Sequence, residues 1–211
     1  MMFLNRQEAG KKLAVKFADF PKKQNLMVLA IPRGGVVVGR ELASFLDCPL
    51  EILVTKKIGA PGNPELAIGA VGPSGAGFEP VVDEELAQRV GADAKYLYVQ
   101  IEALKTEVER REGQYREGRP PLNLKDKVVI ITDDGVATGA TMKAAIEFTR
   151  QQNPQKIIVA VPVIAFDTLE KIQKQADEVI YLEAPELFFA VGQFYQQFDQ
   201  VSDEEVKTLL K

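Results

Sequence analysis

Residues 128–142 read VVIITDDGVATGATM, and this stretch decides the fold that we predict. A run of β-branched residues ends in two acids, and a loop of glycines and small residues then leads into a helix. Gly135 and Gly139 permit backbone conformations that are closed to other residues. Successive amide N–H groups can then face one concavity, to which the following helix adds its positive N-terminal end. The stretch is therefore predicted to form a strand, an anion-binding loop and a helix.

The chemistry of this loop indicates a phosphorylated sugar. Thr138 and Thr141 add hydroxyl donors to the predicted phosphate site. Asp133 and Asp134 would repel a phosphate, but their carboxylates can accept hydrogen bonds from the hydroxyls of a sugar. Acceptors for a diol beside a phosphate cradle indicate a ribose 5-phosphate. The alternative is an acidic turn that caps a helix, and the order of strand, motif and helix favours the binding site.

Strand-like and helix-like segments alternate along most of the chain. Short β-branched runs are bounded by Gly, Pro or charge, and apolar residues between them recur at helical spacing. This alternation predicts an α/β fold, with a parallel sheet and helices on both faces. The predicted strands are 26–31, 50–57, 127–132, 156–162 and 178–182, and the predicted helices are one capped by Asn5, then 36–45, 141–152 and 167–175.

The middle of the chain departs from this alternation. Its predicted elements are a loop at 59–64, a hairpin of strands 66–71 and 79–82 with a Gly-rich tip at 72–78, and helices at 83–89 and 93–117. Glu–Arg pairs four residues apart on the long helix are predicted to form a solvated face. We treat residues 1–211 as a single domain, with helix 93–117 and residues 183–211 as peripheral, hood-like additions.

Two further loops follow predicted strands, where ligands of parallel sheets bind. The Gly pair of IPRGG (31–35) lets backbone amides approach an anion, and Arg33 adds a fixed positive charge. The alternative is a tight turn between strand and helix. Lys56 and Lys57 end the second predicted strand, where crowding two cations would be costly without an anion. Because side chains alternate along a strand, one of these lysines is predicted to face the site.

The composition limits the chemistry that is available. The chain has 211 residues, no His and one Cys, which excludes Ser/His/Asp triads, His metal sites, internal disulfides and Cys-cluster zinc sites. Its 26 basic and 30 acidic residues give a net charge of −4, which argues against nucleic acid as a partner. We see no apolar run long enough for a signal peptide or membrane anchor. A lone Cys is typical of a cytoplasmic protein.

The motifs together resemble those of type I phosphoribosyltransferases. Residues 128–142 resemble the loop that binds phosphoribosyl pyrophosphate (PRPP), and 31–35 resemble the pyrophosphate loop, which often holds a cis peptide. KKIGAP (56–61) is similar to the start of the mobile catalytic loop of adenine-type members. The resemblance covers nearly the whole chain and extends to a bacterial subfamily of unassigned base substrate. It implies a type I phosphoribosyltransferase core and Mg²⁺-dependent transfer of ribose 5-phosphate from PRPP to a nitrogenous base.

The resemblance also implies roles for individual residues. Mg²⁺ would be held mainly by PRPP, with no direct protein ligand assigned. The implied catalytic residues are Arg33, Lys56, Lys57, Asp133 and Asp134, of which the two acids bind the ribose hydroxyls. The implied 5-phosphate ligands are Gly135, Val136, Ala137, Thr138, Gly139, Ala140 and Thr141. The implied pyrophosphate ligands are Arg33, Gly34, Gly35, Lys56 and Lys57.

The base and its partners are left open. Hypoxanthine–guanine-type enzymes carry an acidic residue that serves as a base at the position of Ala137. Glu65 is a candidate to replace this base, and the alternative is that it caps a helix or loop at the surface. The aromatic residues of 181–206 could stack on a flat base, or could form a hydrophobic cap or a homodimer contact. Two alternatives to a transferase are a PRPP- or nucleotide-sensing regulator and a phosphohydrolase. The Lys pair and the acidic pair favour the transferase, and no obvious nucleophile supports the phosphohydrolase.

Overall fold

The molecule is built on a five-stranded parallel sheet. The computed structural model describes residues 2–20, 25–74, 77–116, 119 and 122–211, without the side chains of Glu65, Ser74 and Glu79. The strands of this sheet are β1 (Leu26–Ala30), β2 (Leu50–Ile52), β6 (Val128–Thr132), β7 (Lys156–Val163) and β8 (Glu178–Glu183). Their order is β2-β1-β6-β7-β8, so β1 and β6 lie side by side in the middle, with Ala30 opposite Thr132.

Helices cover both faces of this sheet, as predicted. Helices α1 (Arg6–Val15) and α2 (Gly34–Leu46) lie on one face, and α5 (Ala140–Gln151) and α6 (Phe166–Gln173) lie on the other. Alternate residues of β6 explain this arrangement: Ile130 is buried with α1 and α2, whereas Ile131 is buried with α5 and α6. The continuous apolar run of the strand therefore serves two cores at once.

A second, antiparallel sheet corrects two predictions. Its strands β3 (Lys56–Ala60), β4 (Asn63–Ser74) and β5 (Gly77–Val82) pair in sequence order. The predicted strand 50–57 is divided, because Leu53 N–H makes a hydrogen bond to Ala30 O and the chain then leaves the parallel sheet. The predicted loop 59–64 is a tight hairpin turn, for which Gly62 supplies a φ of 72°. The predicted hairpin of β4 and β5 is confirmed, although residues 75 and 76 of its tip lie outside the described residues.

Three further α-helices and a short 3-10 helix at Val191–Phe194 complete the described structure. Helix α3 (Glu84–Arg89) and the long helix α4 (Ala94–Arg116) follow the small sheet, and α7 (Asp203–Leu209) lies near the C-terminal end. Helix α4 packs on the small sheet, where Tyr96 Oη donates to Gly59 O over 2.8 Å. At α1, the predicted cap is confirmed, because Asn5 Oδ1 accepts a hydrogen bond from Glu8 N over 2.9 Å.

Candidate active site

Two of the three predicted loops pack directly on each other at the carboxyl edge of β1 and β6. Ile31 N–H donates to Thr132 O over 2.9 Å, which continues the pairing to the ends of both strands. Helix α2 then starts at Gly34, after a cis peptide between Pro32 and Arg33. A Cβ atom on Gly35 would lie 2.8 Å from Asp133 Cα, and one on Gly34 would collide with the Asp134 carboxylate. The glycine pair therefore lets α2 begin against the acidic loop.

A cavity of about 440 Å³ connects the Lys pair with the loop that precedes α5. Both Lys56 and Lys57 line it. That only one of their side chains faces the site stays a prediction. Both lie at the start of β3, where Lys56 pairs with Val71 and Lys57 with Ala70 of β4. The residues that line the cavity are Ile31, Pro32, Leu53, Val54, Thr55, Lys56, Lys57, Arg111, Thr138, Ala140 and Thr141.

The Asp133–Asp134 pair directly follows β6, and an ion pair holds one of its two carboxylates. Arg6 Nε lies 2.7 Å from Asp134 Oδ2, and Asp133 Oδ1 accepts a hydrogen bond from Asp134 N over 2.8 Å. Burial raises the pKa of Asp133 well above its usual range, and the neighbouring Asp134 raises it further. Burial also raises the pKa of Asp134, which Arg6 opposes. Sequence reasoning missed Arg6, because the ion pair joins positions far apart in the chain.

Because burial disfavours the charged form of Asp133, we expect Asp133→Asn to stabilise the fold. A carboxyl whose pKa is raised in the folded state destabilises the fold as the pH rises from its unfolded pKa, about 4, through its folded pKa. Asparagine is uncharged and keeps an oxygen for Asp134 N–H. The melting temperature of Asp133→Asn is therefore expected to exceed that of the wild type at pH 7, with the difference vanishing near pH 4.

The contrast variant for this measurement is Asp134→Asn. It removes a raised pKa as well, but it also breaks the 2.7 Å ion pair with Arg6. Its gain at pH 7 should be smaller than that of Asp133→Asn. A lower melting temperature for Asp133→Asn than for the wild type at pH 7 would contradict this view of the acidic pair.

The loop from Gly135 to Thr141 is shaped by its neighbours on β7 and α6. Val136 N–H donates to Val163 O over 2.9 Å, so this amide of the predicted phosphate set is already engaged. Thr168 Oγ1 donates to Ala137 O over 2.6 Å and thereby anchors the loop to α6. In the described part of the chain, the amides of Ala137, Thr138 and Gly139 have no acceptor. With Gly139 at a φ of 77°, the loop presents open donors at the start of α5.

Arg33 is not among the residues that line the cavity, and it pairs with Asp203 near the C-terminal end of the chain. Its Nη1 lies 3.5 Å from Asp203 Oδ1. Asp203 also accepts hydrogen bonds from Tyr115 Oη over 2.5 Å and from Gln114 Nε2 over 2.8 Å. Tyr115, Gln114 and Arg33 lower the pKa of Asp203. Burial, and next the hydrogen bond to Asp203, raise the pKa of Tyr115 to about 12. Asp203 therefore joins the loop before α2 to helices α4 and α7.

The aromatic C-terminal segment covers the acidic loop. Tyr195 Oη donates to Asp134 O over 2.5 Å, and a Cβ atom on Gly135 would lie 2.6 Å from Val191 Cγ1. Burial raises the pKa of Tyr195, and the Asp134 charge raises it further, so its phenol stays protonated. Leu187 and Phe189 of the same segment are 74% and 87% exposed. Part of the segment thus caps the site, while another part remains open to contact with a ligand or a second chain.

Comparison with known proteins identifies the family. The model of the phosphoribosyl transferase domain matches residues 4–199. The chain belongs to this family. A Mycobacterium tuberculosis H37Rv protein named "Putative phosphoribosyl transferase" is 40% identical over 209 residues, which are 99% of this chain and 46% of that protein. The same values hold for a protein of that name from Mycobacterium tuberculosis CDC 1551, so the chain spans about half the length of the curated relatives it matches.

A crystal structure with the same architecture is also known. The protein TT1426 from Thermus thermophilus is 40% identical, with a TM-score of 0.91 over 100% of this chain and 98% of that chain. The resemblance to phosphoribosyltransferases, a family of transferases, is thereby confirmed, as is the predicted α/β fold. Among the described residues, no helix has the length and apolar character needed to cross a membrane. Within the same residues, no group of three or more Cys, Asp or Glu side chains could hold a metal ion.

Proposed function

We propose that the chain binds PRPP with Mg²⁺ and transfers ribose 5-phosphate to a nitrogenous base, releasing pyrophosphate. The observation that carries this proposal is the single cavity that joins Lys56 and Lys57 to Thr138 and Thr141. A cavity lined by cations and by two threonines of the loop before α5 suits a ligand with phosphate groups at both ends. The acidic pair at the adjacent edge suits the sugar between them.

The proposed reaction breaks the bond between ribose C1 and the pyrophosphate oxygen, and the electron pair leaves with pyrophosphate. The lone pair of a base nitrogen forms the new bond to C1. Lys56 and Lys57 stabilise the charge that develops on the leaving group. The amides of Ala137, Thr138 and Gly139 hold the 5-phosphate, and the acidic pair orients the ribose hydroxyls. No histidine is needed if the base nitrogen is acidic or already deprotonated.

The acidic pair suits the Mg²⁺ that this family uses with PRPP. Burial raises the pKa of both carboxyls although Arg6 opposes the shift, so a cation beside them would favour their charged form. Carboxylate oxygens are ligands that Mg²⁺ prefers. In the proposal, PRPP oxygens hold most of the ion and Asp133 and Asp134 face it. Bound Mg²⁺ would neutralise charge on the pyrophosphate.

The remaining parts of the proposal concern the base and the setting. The base would enter beside the C-terminal segment, where Tyr195 already reaches Asp134. Glu65 stays a predicted substitute base, because its side chain lies outside the described residues. A cytoplasmic location and a homodimer, for which exposed Leu187 and Phe189 could supply contacts, also stay predictions.

The test is a turnover experiment with a panel of bases. The protein is incubated with PRPP, Mg²⁺ and each of a series of purines, pyrimidines and related heterocycles, and diphosphate is followed by phosphorus NMR. We expect diphosphate release that depends on at least one base. Binding of PRPP without turnover on any base would favour a sensing regulator, and no PRPP binding would overturn the proposal.

A further inference from the structure

Arg111 on helix α4 is a cation at the cavity that sequence reasoning assigned to a solvated helix face. It is 32% exposed and lines the cavity together with Lys56 and Lys57. Its neighbour Arg110 is 59% exposed and does not line the cavity. Of these two adjacent arginines, only Arg111 reaches the candidate active site.

Glu107 holds Arg111 in this position. Arg111 Nε lies 2.7 Å from Glu107 Oε1, while Arg110 Nε lies 3.1 Å from Glu107 Oε2. Hydrogen bonds from Arg110 and Arg111 lower the pKa of Glu107 to about 2, so this carboxylate stays charged at neutral pH. Because Glu107 engages the Nε of Arg111, the two terminal nitrogens of that guanidinium remain for another acceptor. Among the described residues they have none.

Lys56 and Arg111 are like charges that line the same cavity. Burial lowers the pKa of Lys56 and the charge of Arg111 lowers it further, whereas Glu107 opposes the shift. Thr55 adds a buried hydroxyl to the same lining, and its Oγ1 has no partner among the described residues. A multiply charged anion would relieve the repulsion between Lys56 and Arg111, and would offer oxygens to these groups.

We propose that Arg111 is a further ligand-binding residue that contacts the pyrophosphate of PRPP from helix α4. This inference rests on the proposed function and extends its pyrophosphate site beyond the loops that the resemblance implies. Arg111 interacts with Lys56, whereas Thr138 and Thr141 come from the loop proposed for the 5-phosphate. The guanidinium is therefore assigned to the pyrophosphate end. Its planar fork can bind two phosphate oxygens at once, which an ammonium group cannot do.

Helix α4 also contacts the partner of Arg33, a residue that the resemblance implies for the pyrophosphate. Gln114 and Tyr115 lie about one turn beyond Arg111, and their side chains donate to Asp203, which pairs with Arg33. One rigid helix therefore carries Arg111 and fixes the partner of Arg33. We assign Gln114 and Tyr115 no contact with the ligand.

The test compares Arg111→Gln with Arg110→Gln as a matched control. Both variants lose one positive charge, and Arg111→Gln loses one hydrogen bond to Glu107 whereas Arg110→Gln loses two. Only Arg111 lines the cavity. Calorimetric titrations use PRPP, inorganic pyrophosphate and ribose 5-phosphate, each with Mg²⁺. We expect Arg111→Gln to weaken binding of PRPP and pyrophosphate by about tenfold to a hundredfold, as for loss of a hydrogen bond between charged groups. Its affinity for ribose 5-phosphate, and all affinities of Arg110→Gln, should change by less than about threefold.

A second variant and the wild type distinguish failure of this inference from failure of the proposed function. Arg111→Lys keeps the positive charge but loses the planar guanidinium, so its PRPP affinity should fall between those of the wild type and Arg111→Gln. If Arg111→Gln does not fold, Arg111→Lys is compared with the wild type alone. Equal PRPP affinities for the Gln variants of Arg111 and Arg110, or a wild-type affinity in Arg111→Lys, would overturn this inference while leaving the proposed function intact. A wild-type protein that binds neither PRPP nor pyrophosphate would overturn the proposed function itself.

Discussion

Replacing Asp133 and Asp134 together by Asn is expected to weaken PRPP binding by roughly two to four orders of magnitude and to abolish measurable turnover. Each carboxylate is proposed to accept hydrogen bonds from the ribose, and a hydrogen bond to a charged group is worth about 1.5–3 kcal/mol. Asn retains the shape of Asp but brings N–H₂ groups to a place where only acceptors serve. The measurement is a calorimetric titration with PRPP and Mg²⁺, followed by the diphosphate assay.

The matched control for this variant is Asp47→Asn combined with Asp126→Asn. Both residues adopt a positive φ, 53° and 59°, where Asn is as well tolerated as Asp. This control removes the same two charges outside the candidate site, so its PRPP affinity should match that of the wild type. Unchanged affinity in the Asp133/Asp134 variant would show that the acidic pair does not bind the ribose.

Replacing Gly139 by Ala is expected to cost about 2–5 kcal/mol of stability and to weaken PRPP binding by about tenfold or more. The φ of 77° costs an alanine about 1–2 kcal/mol, and overpacking adds about 1–3 kcal/mol. The added Cβ would lie 2.6 Å from Thr168 Cγ2. Thr168 is buried and donates to Ala137 O, so it cannot move aside without releasing the phosphate loop. Denaturant unfolding and PRPP titration measure the two effects.

Gly91→Ala isolates the backbone part of this cost. Gly91 has the same φ of 77°, and an added Cβ there meets no atom within 4 Å. We expect it to lose only about 1–2 kcal/mol and to bind PRPP like the wild type. If Gly139→Ala were no worse than Gly91→Ala in both measurements, the clamp of Thr168 on the phosphate loop would be refuted.

The parallel sheet could be predicted because its strands are marked locally. The run before Asp133 is apolar on both faces, as a strand between two helical layers must be, and Asp133 marks its end. The division of residues 50–60 between two sheets could not be predicted in this way. Residues 53–55 are as buried and β-branched as a strand, and only the position of Ala30 decides where pairing stops.

The candidate site likewise has parts that are marked locally in the sequence and parts that depend on distant contacts. Its loops could be predicted, because each combines glycine with charge directly after a strand. Arg6 and Arg111 could not, because nothing near them in sequence shows that Arg6 meets Asp134 or that one face of α4 covers the cavity. The spacing of Glu107 and Arg111 is typical of an exposed helix face, and only the packing of α4 on β3 and β4 gives this pair another use.

The most direct test of the central claim is a calorimetric titration of the unmodified protein with PRPP in the presence of Mg²⁺. The account predicts saturable binding at one site, with a dissociation constant in the range of roughly 1 μM to 1 mM that is usual for enzyme substrates. The absence of saturable binding at millimolar PRPP, from a protein that is folded by circular dichroism, would contradict it.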